Sequence, residues 1–265
     1  MVMLQNLVKV ELVDCRCVQL PMLGHLPHLA IASIKGMDNV KCIGIEFYGL
    51  QDCINSNATI GDDSAAVCVS FPVLRELTLI NMSKLEVWME AGEADDSLFP
   101  LKSRFNIFPF LEELVIRFCP VLKRIPGHFP SLKRLSISNL DDSVALKKMS
   151  SSLRSLSELK LIRIGGLKID LVSEQLLRRN SSLRYVGIGR CWELKKLPTD
   201  CLQSCTSLTS LRLLDCDSLD SVPNLQSLTM LDELCIGGFC PELDYFPWPC
   251  PAASLRTLWL HGGES

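Results

Sequence analysis

Apolar residues return along this chain in a fixed order. If the first leucine of a unit is counted as zero, the next apolar positions fall at offsets three, five, eight and eleven. Leu208, Leu211, Leu213, Cys216 and Leu219 show the pattern, closed by Val222-Pro223. Leu183, Val186, Ile188, Cys191 and Leu194 repeat it and close on Leu197-Pro198. The order starts again, complete or in part, at Leu7, Leu29, Leu74, Leu111, Leu132, Leu156, Leu231 and Leu255. From Leu111 onward the starts lie 21, 24, 27, 25, 23 and 24 residues apart. One supersecondary unit is being repeated.

The spacing dictates a local structure. Residues at offsets three and five are two apart, so in a strand they share one face, while offsets two, four and six share the other. The residues at offsets eight and eleven bring the chain back over the core. No single unit can cover its own apolar edge, so units stack and their strands align. A period of about 20 to 29 residues with this spacing marks leucine-rich repeats. The expected fold is an α/β repeat: a leucine-rich-repeat solenoid, or horseshoe, with a concave parallel β-sheet and a convex face of loops, short strands and short helices. Residues 1–265 read as a single solenoid of about ten repeats.

Departures from the pattern locate the irregular parts. The intervals from Leu29 to Leu74 and from Leu74 to Leu111 are too long for one unit, which predicts loop insertions near 49–70 and 88–108. The first holds a polar stretch at 51–66, and the second places Glu86, Glu90, Glu93, Asp95 and Asp96 near Trp88. The unit at Leu231 puts Phe239 at offset eight and Leu243 one residue late, which predicts a shift at Gly237-Gly238. Asp170 to Asn180 has near-helical leucine spacing, with Asp170 as N-cap and Arg178-Arg179 near the C-terminus, and predicts a short convex helix. Offset eight carries Cys15, Met37, Met82, Cys119, Leu140, Ile164, Cys191 and Cys216, where a buried cysteine acts as a small apolar residue.

Offsets two, four, six and seven point into the concavity and nominate a binding face. They include Arg117, Arg134, Lys160, Arg163, Arg190 and Arg212, a mainly basic strip, with Phe118, Tyr185 and Trp259 as candidate aromatic anchors and Asp215 beside Arg212. Arginine and aromatic side chains are the types enriched at interface hot spots. The same residues also fit an ordinary solvated sheet face.

Composition narrows the function classes. The formal net charge is −3, so no global charge recruits nucleic acid or an anionic membrane. No apolar run is long enough for a membrane span, and the first residues lack the pattern of a signal peptide. Cysteines number 13, an odd count which, without a leader, argues against a disulfide framework and for a reducing, cytoplasmic setting. Cys201 and Cys205 lack paired zinc-ligand spacing and read as thiols rather than metal ligands. The histidines are scattered, and the sequons at Asn57, Asn81 and Asn180 read as chance. No constellation supports catalysis, and no cofactor is expected.

The stretches Gly36 to Gly49 and Phe71 to Trp88, with the repeated leucine and cysteine units, resemble the repeat region of plant nucleotide-binding leucine-rich-repeat disease resistance proteins, especially the coiled-coil class. The resemblance covers essentially the whole chain. It implies an intracellular innate immune receptor whose repeats bind a pathogen effector or host guardee protein and restrain the receptor's own nucleotide-binding module. No GxxxxGK[ST] loop occurs here, so no nucleotide-binding domain is expected in this chain. The array begins and ends inside a repeat, as a fragment of a longer receptor would. A substrate-binding array of an F-box ubiquitin-ligase adaptor and an extracellular receptor ectodomain are the competing readings.

Overall fold

The computed structural model describes residues 4–50, 68–90, 105–168, 170–238 and 253–261. The polar stretch 51–66, the Asn57 sequon, Glu93, Asp95 and Asp96, and the shift at Phe239 to Leu243 lie outside them. The described strands are β1 (Lys9–Val13), β2 (Ile31–Lys35), β3 (Cys42–Ile43), β4 (Cys68–Ser70), β5 (Glu76–Ile80), β6 (Val87–Trp88) and β7 (Phe105–Ile107). They continue with β8 (Glu113–Arg117), β9 (Arg134–Leu140), β10 (Glu158–Ile164), β11 (Tyr185–Gly189), β12 (Ser210–Leu214), β13 (Glu233–Gly237) and β14 (Thr257–His261). One ten-stranded parallel sheet runs β1-β2-β5-β8-β9-β10-β11-β12-β13-β14. The protein is a leucine-rich-repeat solenoid.

Every pairing in that sheet joins equal offsets of successive units. Leu135, Leu159, Val186, Leu211 and Leu234 form one row across it, and Ile137, Leu161, Ile188, Leu213 and Ile236 the next. All ten of these side chains are buried in one continuous core. Leu258 and Leu260 hold the same offsets on β14 but are 40% and 57% exposed, since no described strand lies beyond them.

The end of each strand is set by one backbone conformation. Offset seven is left-handed at Asp14, Gly36, Asn81, Phe118, Asn139, Arg163, Arg190, Asp215 and Gly238, with φ between 51° and 64°. That turn aims its N–H at the offset-six carbonyl of the next unit, as in Asn81 to Arg117 (3.0 Å) and Arg190 to Leu214 (2.9 Å). At offset eight the thiols of Cys15, Cys119, Cys191 and Cys216 donate to the offset-six carbonyl of their own unit at 3.3–3.5 Å. The cysteine is thus a core residue with a weak donor at the turn.

Two short ladders flank the sheet where the sequence suggested insertions. β3 pairs with β6, and β4 with β7. Between them lies an aromatic stack in which Phe108 sits 4.9 Å from Phe71 and 5.8 Å from Phe129, with Trp88 and Tyr48 edge-on at 5.9 Å. Trp88, near which the acidic residues were expected, is itself 1% exposed. The Tyr48 hydroxyl donates to the Met89 carbonyl at 2.6 Å, and the Ser70 hydroxyl to that of Tyr48 at 2.7 Å.

Phe71, Phe108 and Phe129 each precede a unit's first leucine by three residues. The row continues through Leu153, Asn180, Cys205 and Leu228. Asn180 is fully buried and uses its amide completely: it donates to Leu153 (3.2 Å) and Leu176 (2.7 Å) and accepts from the Leu156 N–H (3.0 Å). It therefore fastens the helical segment before it to the preceding repeat. That segment is a π-helical turn, Leu171–Leu177, rather than the regular helix expected, and the Asp170 side chain makes no capping bond. The Arg178 N–H reaches back five residues to Ser173, because packing of Leu171, Val172, Leu176 and Leu177 against the core outweighs regular helical bonding. An α-helix at Val144–Ser150 was not legible in the repeat pattern.

Removing the centre of the aromatic stack creates a cavity among rigid rings, so Phe108→Ala should cost about 3–5 kcal/mol. Asn180→Ala leaves buried backbone groups unpaired and should cost about 1–3 kcal/mol. Urea unfolding of the two variants checks both the magnitudes and their order.

Candidate protein-interaction face

The residues nominated from the sequence lie on the face of the sheet opposite the leucine rows or, for Phe118, Arg163, Arg190 and Asp215, at its rim, and they do not form one basic patch. Arg117 lies on β8 and Trp259 on β14, six strand steps apart, or about 29 Å at the usual interstrand spacing. Equal-offset pairing also places acids beside the cations. Arg134 meets Glu113 at 2.7 Å, Arg212 meets Glu233 at 2.6 Å, and Arg190 meets Asp215 at 3.2 Å. Glu76 and Glu158 share the same face. The expectation of a mainly basic strip is therefore corrected to a mixed-charge one, because Glu76, Glu113, Glu158 and Glu233 occupy offset two on the same face and Asp215 stands beside Arg190.

These pairs have chemical consequences. The Glu113 carboxylate raises Arg134 above its usual value, and Glu233 does the same for Arg212. The Ser210 hydroxyl, followed by Arg212, holds Glu233 below the usual carboxylate range. Tyr185 is half-buried and its phenol is pushed up by burial. Among the described residues, Arg117, Lys160 and Arg163 make no ion pair. The Arg163 guanidinium lies over the Trp192 ring, 5.5 Å from its centroid.

Trp192 was missed from the sequence, although it sits at offset nine directly after a core cysteine. It is 50% exposed and Phe118 is 51% exposed. Both line a groove of about 790 Å³ along the C-terminal rim of the sheet. Its walls are the offset-seven residues Asn81, Phe118, Asn139 and Arg163, and the offset-nine residues Asp38, Ser83, Pro120, Asp141, Gly165 and Trp192. Gly165 is required there, since a Cβ would stand 2.0 Å from the Asp141 carbonyl oxygen.

Cys119, Cys191, Cys201, Cys205, Cys216 and Cys235 are buried free thiols. Burial pushes Cys119 and Cys205 up to about 11 and Cys201 and Cys216 up to about 12. Cys68 is disulfide-bonded, a bridge not expected from the sequence. Among the described residues, no group of three or more histidine, cysteine or acidic side chains is arranged to hold a metal ion. No helix among them is long and apolar enough to cross a membrane.

Two measurements check this chemistry. A depressed folded-state value means that Glu233 stabilises the fold above the ordinary carboxylate range and loses that contribution as pH falls through it. Glu233→Gln should thus cost about 1 kcal/mol at pH 7 and progressively less toward pH 3, read by urea unfolding. Iodoacetamide at pH 8 should modify exposed Cys17 rapidly and the six buried free thiols only after denaturation, read by peptide mass mapping.

No protein-family profile matches the chain. Three Arabidopsis thaliana proteins named for disease resistance do. RPP13-like protein 1 is 28% identical over 211 residues, covering 73% of this chain and 19% of the relative. Disease resistance protein RPP4 is 32% identical over 172 residues, covering 64% and 14%. A third is 29% identical over 136 residues, covering 51% and 8%. The chain thus spans less than a fifth of each relative's length. Repeat register identifies the chain as a leucine-rich-repeat array, and in sequence that array is similar to part of these plant disease resistance proteins.

Proposed function

We propose that this chain is the non-catalytic, protein-recognition region of an intracellular, cytoplasmic plant immune receptor. The concave sheet face would take a pathogen effector, a host guardee protein or the receptor's own nucleotide-binding module. One observation carries the reading: the core offsets are monotonously apolar, while offsets two, four, six and seven vary from unit to unit along the other face of the sheet and its rim. A fold needs only the first set. A varied row of arginine, aromatic and acidic side chains on a rigid sheet is what selective recognition of a protein surface requires.

Within that face, Arg117 on β8 and Lys160 on β10 make no ion pair among the described residues, and unlike Arg163 neither lies over an aromatic ring there, so they are the charges offered to an acidic partner. Arg134, Arg190 and Arg212 are held by Glu113, Asp215 and Glu233 and shape the face instead. Arg117→Glu with Lys160→Glu, introduced into a full-length receptor carrying this region, should reduce association with its nucleotide-binding module or effector at least tenfold. Cell death in transfected leaf tissue should change with it. Co-precipitation and cell-death output matching the unaltered receptor would remove this reading.

A further inference from the structure

The rim groove differs in chemistry from the sheet face beside it. Its apolar floor is Phe118, Pro120, Leu140 and Trp192, while Asp38, Asp141 and Glu193 face the single cation Arg163. Asp38 already accepts from the Ser83 hydroxyl at 2.7 Å, which holds its carboxyl below the usual range. Asp141 and Glu193 are exposed, and neither makes an ion pair among the described residues. The groove therefore carries an excess of negative charge along an exposed apolar track.

Backbone conformation points to the same place. Six units put aspartate, asparagine or glycine at the left-handed offset-seven position, the residues that tolerate it. Phe118, Arg163 and Arg190 hold φ of 55°, 54° and 53° there, where a bulky side chain is disfavoured. Phe118 and Arg163 line this groove, on either side of Asn139, and Arg190 stands in the unit beyond Arg163. The fold has no use for an exposed phenylalanine at that turn, so the side chain's value lies in what it presents.

Dimensions select the occupant's shape. The lining residues come from six successive units, from Asp38 to Trp192, a run of about 24 Å at the interstrand spacing. That length takes about seven residues of extended chain.

We infer that this groove docks an extended segment of a partner protein in which a lysine or arginine alternates with apolar side chains. The apolar residues rest on Phe118 and Trp192, and the cation meets Asp141 and Glu193. Asn81 and Asn139 offer amides that can both donate to and accept from a passing backbone. This rests on the reading of the chain as a protein-recognition array, but it assigns the rim a partner charge opposite to that of Arg117 and Lys160.

The test uses the 265-residue chain and two fluorescein-labelled eight-residue peptides, one alternating lysine with leucine and one alternating glutamate with leucine, compared by fluorescence polarisation. The lysine peptide should bind at least tenfold more tightly than the glutamate peptide. Trp192→Ala, and separately Asp141→Asn with Glu193→Gln, should each weaken it at least fivefold. Glu174→Gln, on the π-helical turn, should leave it unchanged, and thermal unfolding confirms that each variant is folded. Absent or equal binding of the peptides, binding indifferent to the groove variants, or an equal loss through Glu174→Gln overturns the proposal. Such a failure would leave the effect of Arg117 and Lys160 reversal in the full receptor untouched, so the two readings fail separately.

Discussion

A five-residue parallel strand satisfies its backbone only by pairing with the strands on either side, and in this protein each strand pairs offset for offset. That register is the constraint from which the rest follows. It stacks the leucines of successive units into rows, buries them together, and leaves the alternate offsets on a second face. A slip of one residue would exchange the two faces entirely, moving leucine into solvent and arginine into the core. Cooperativity is therefore built between repeats rather than within them.

The same register explains the chemistry at the strand ends. The offset-six carbonyl accepts the N–H of the left-handed residue in the preceding unit, and where offset eight is cysteine it also receives the thiol of its own unit. Cys119, Cys191 and Cys216 are raised by burial and are poor nucleophiles, so the recurrence of cysteine there reflects packing. At offset seven the side chain is held outward at the rim, whatever its identity. Asparagine and aspartate suit the backbone there, and phenylalanine and arginine do not, so the unsuited residues mark where surface chemistry has overridden local preference.

Charge on the concave face is organised across strands. Side chains at equal offsets on neighbouring strands stand about 5 Å apart, close enough for Arg134 to meet Glu113, and long side chains also reach the diagonal neighbour, as Arg212 reaches Glu233. These pairs are partly exposed and contribute modestly to stability. Their larger effect is to neutralise most of the face and to leave a few cations, an acidic rim groove and two exposed rings as the features a partner would encounter.

The repeat period, the inward leucines and the outward offsets follow from local spacing, and they were legible in the sequence because strand geometry has a period of two; the left-handed turn at offset seven was not read there. The flanking ladders, the aromatic stack around Phe108 and the bonding of Asn180 were not, since they join residues from different units whose order gives no sign that they meet. Equally, Arg134 reads as a free cation until β8 brings Glu113 against it, and Trp192 reads as an isolated residue after a cysteine until the rim sets it beside Arg163. Spacing along the chain determined which way each side chain points. Only the stacking of units decided what stands next to it, because adjacency in a solenoid is set by register between strands more than 20 residues apart.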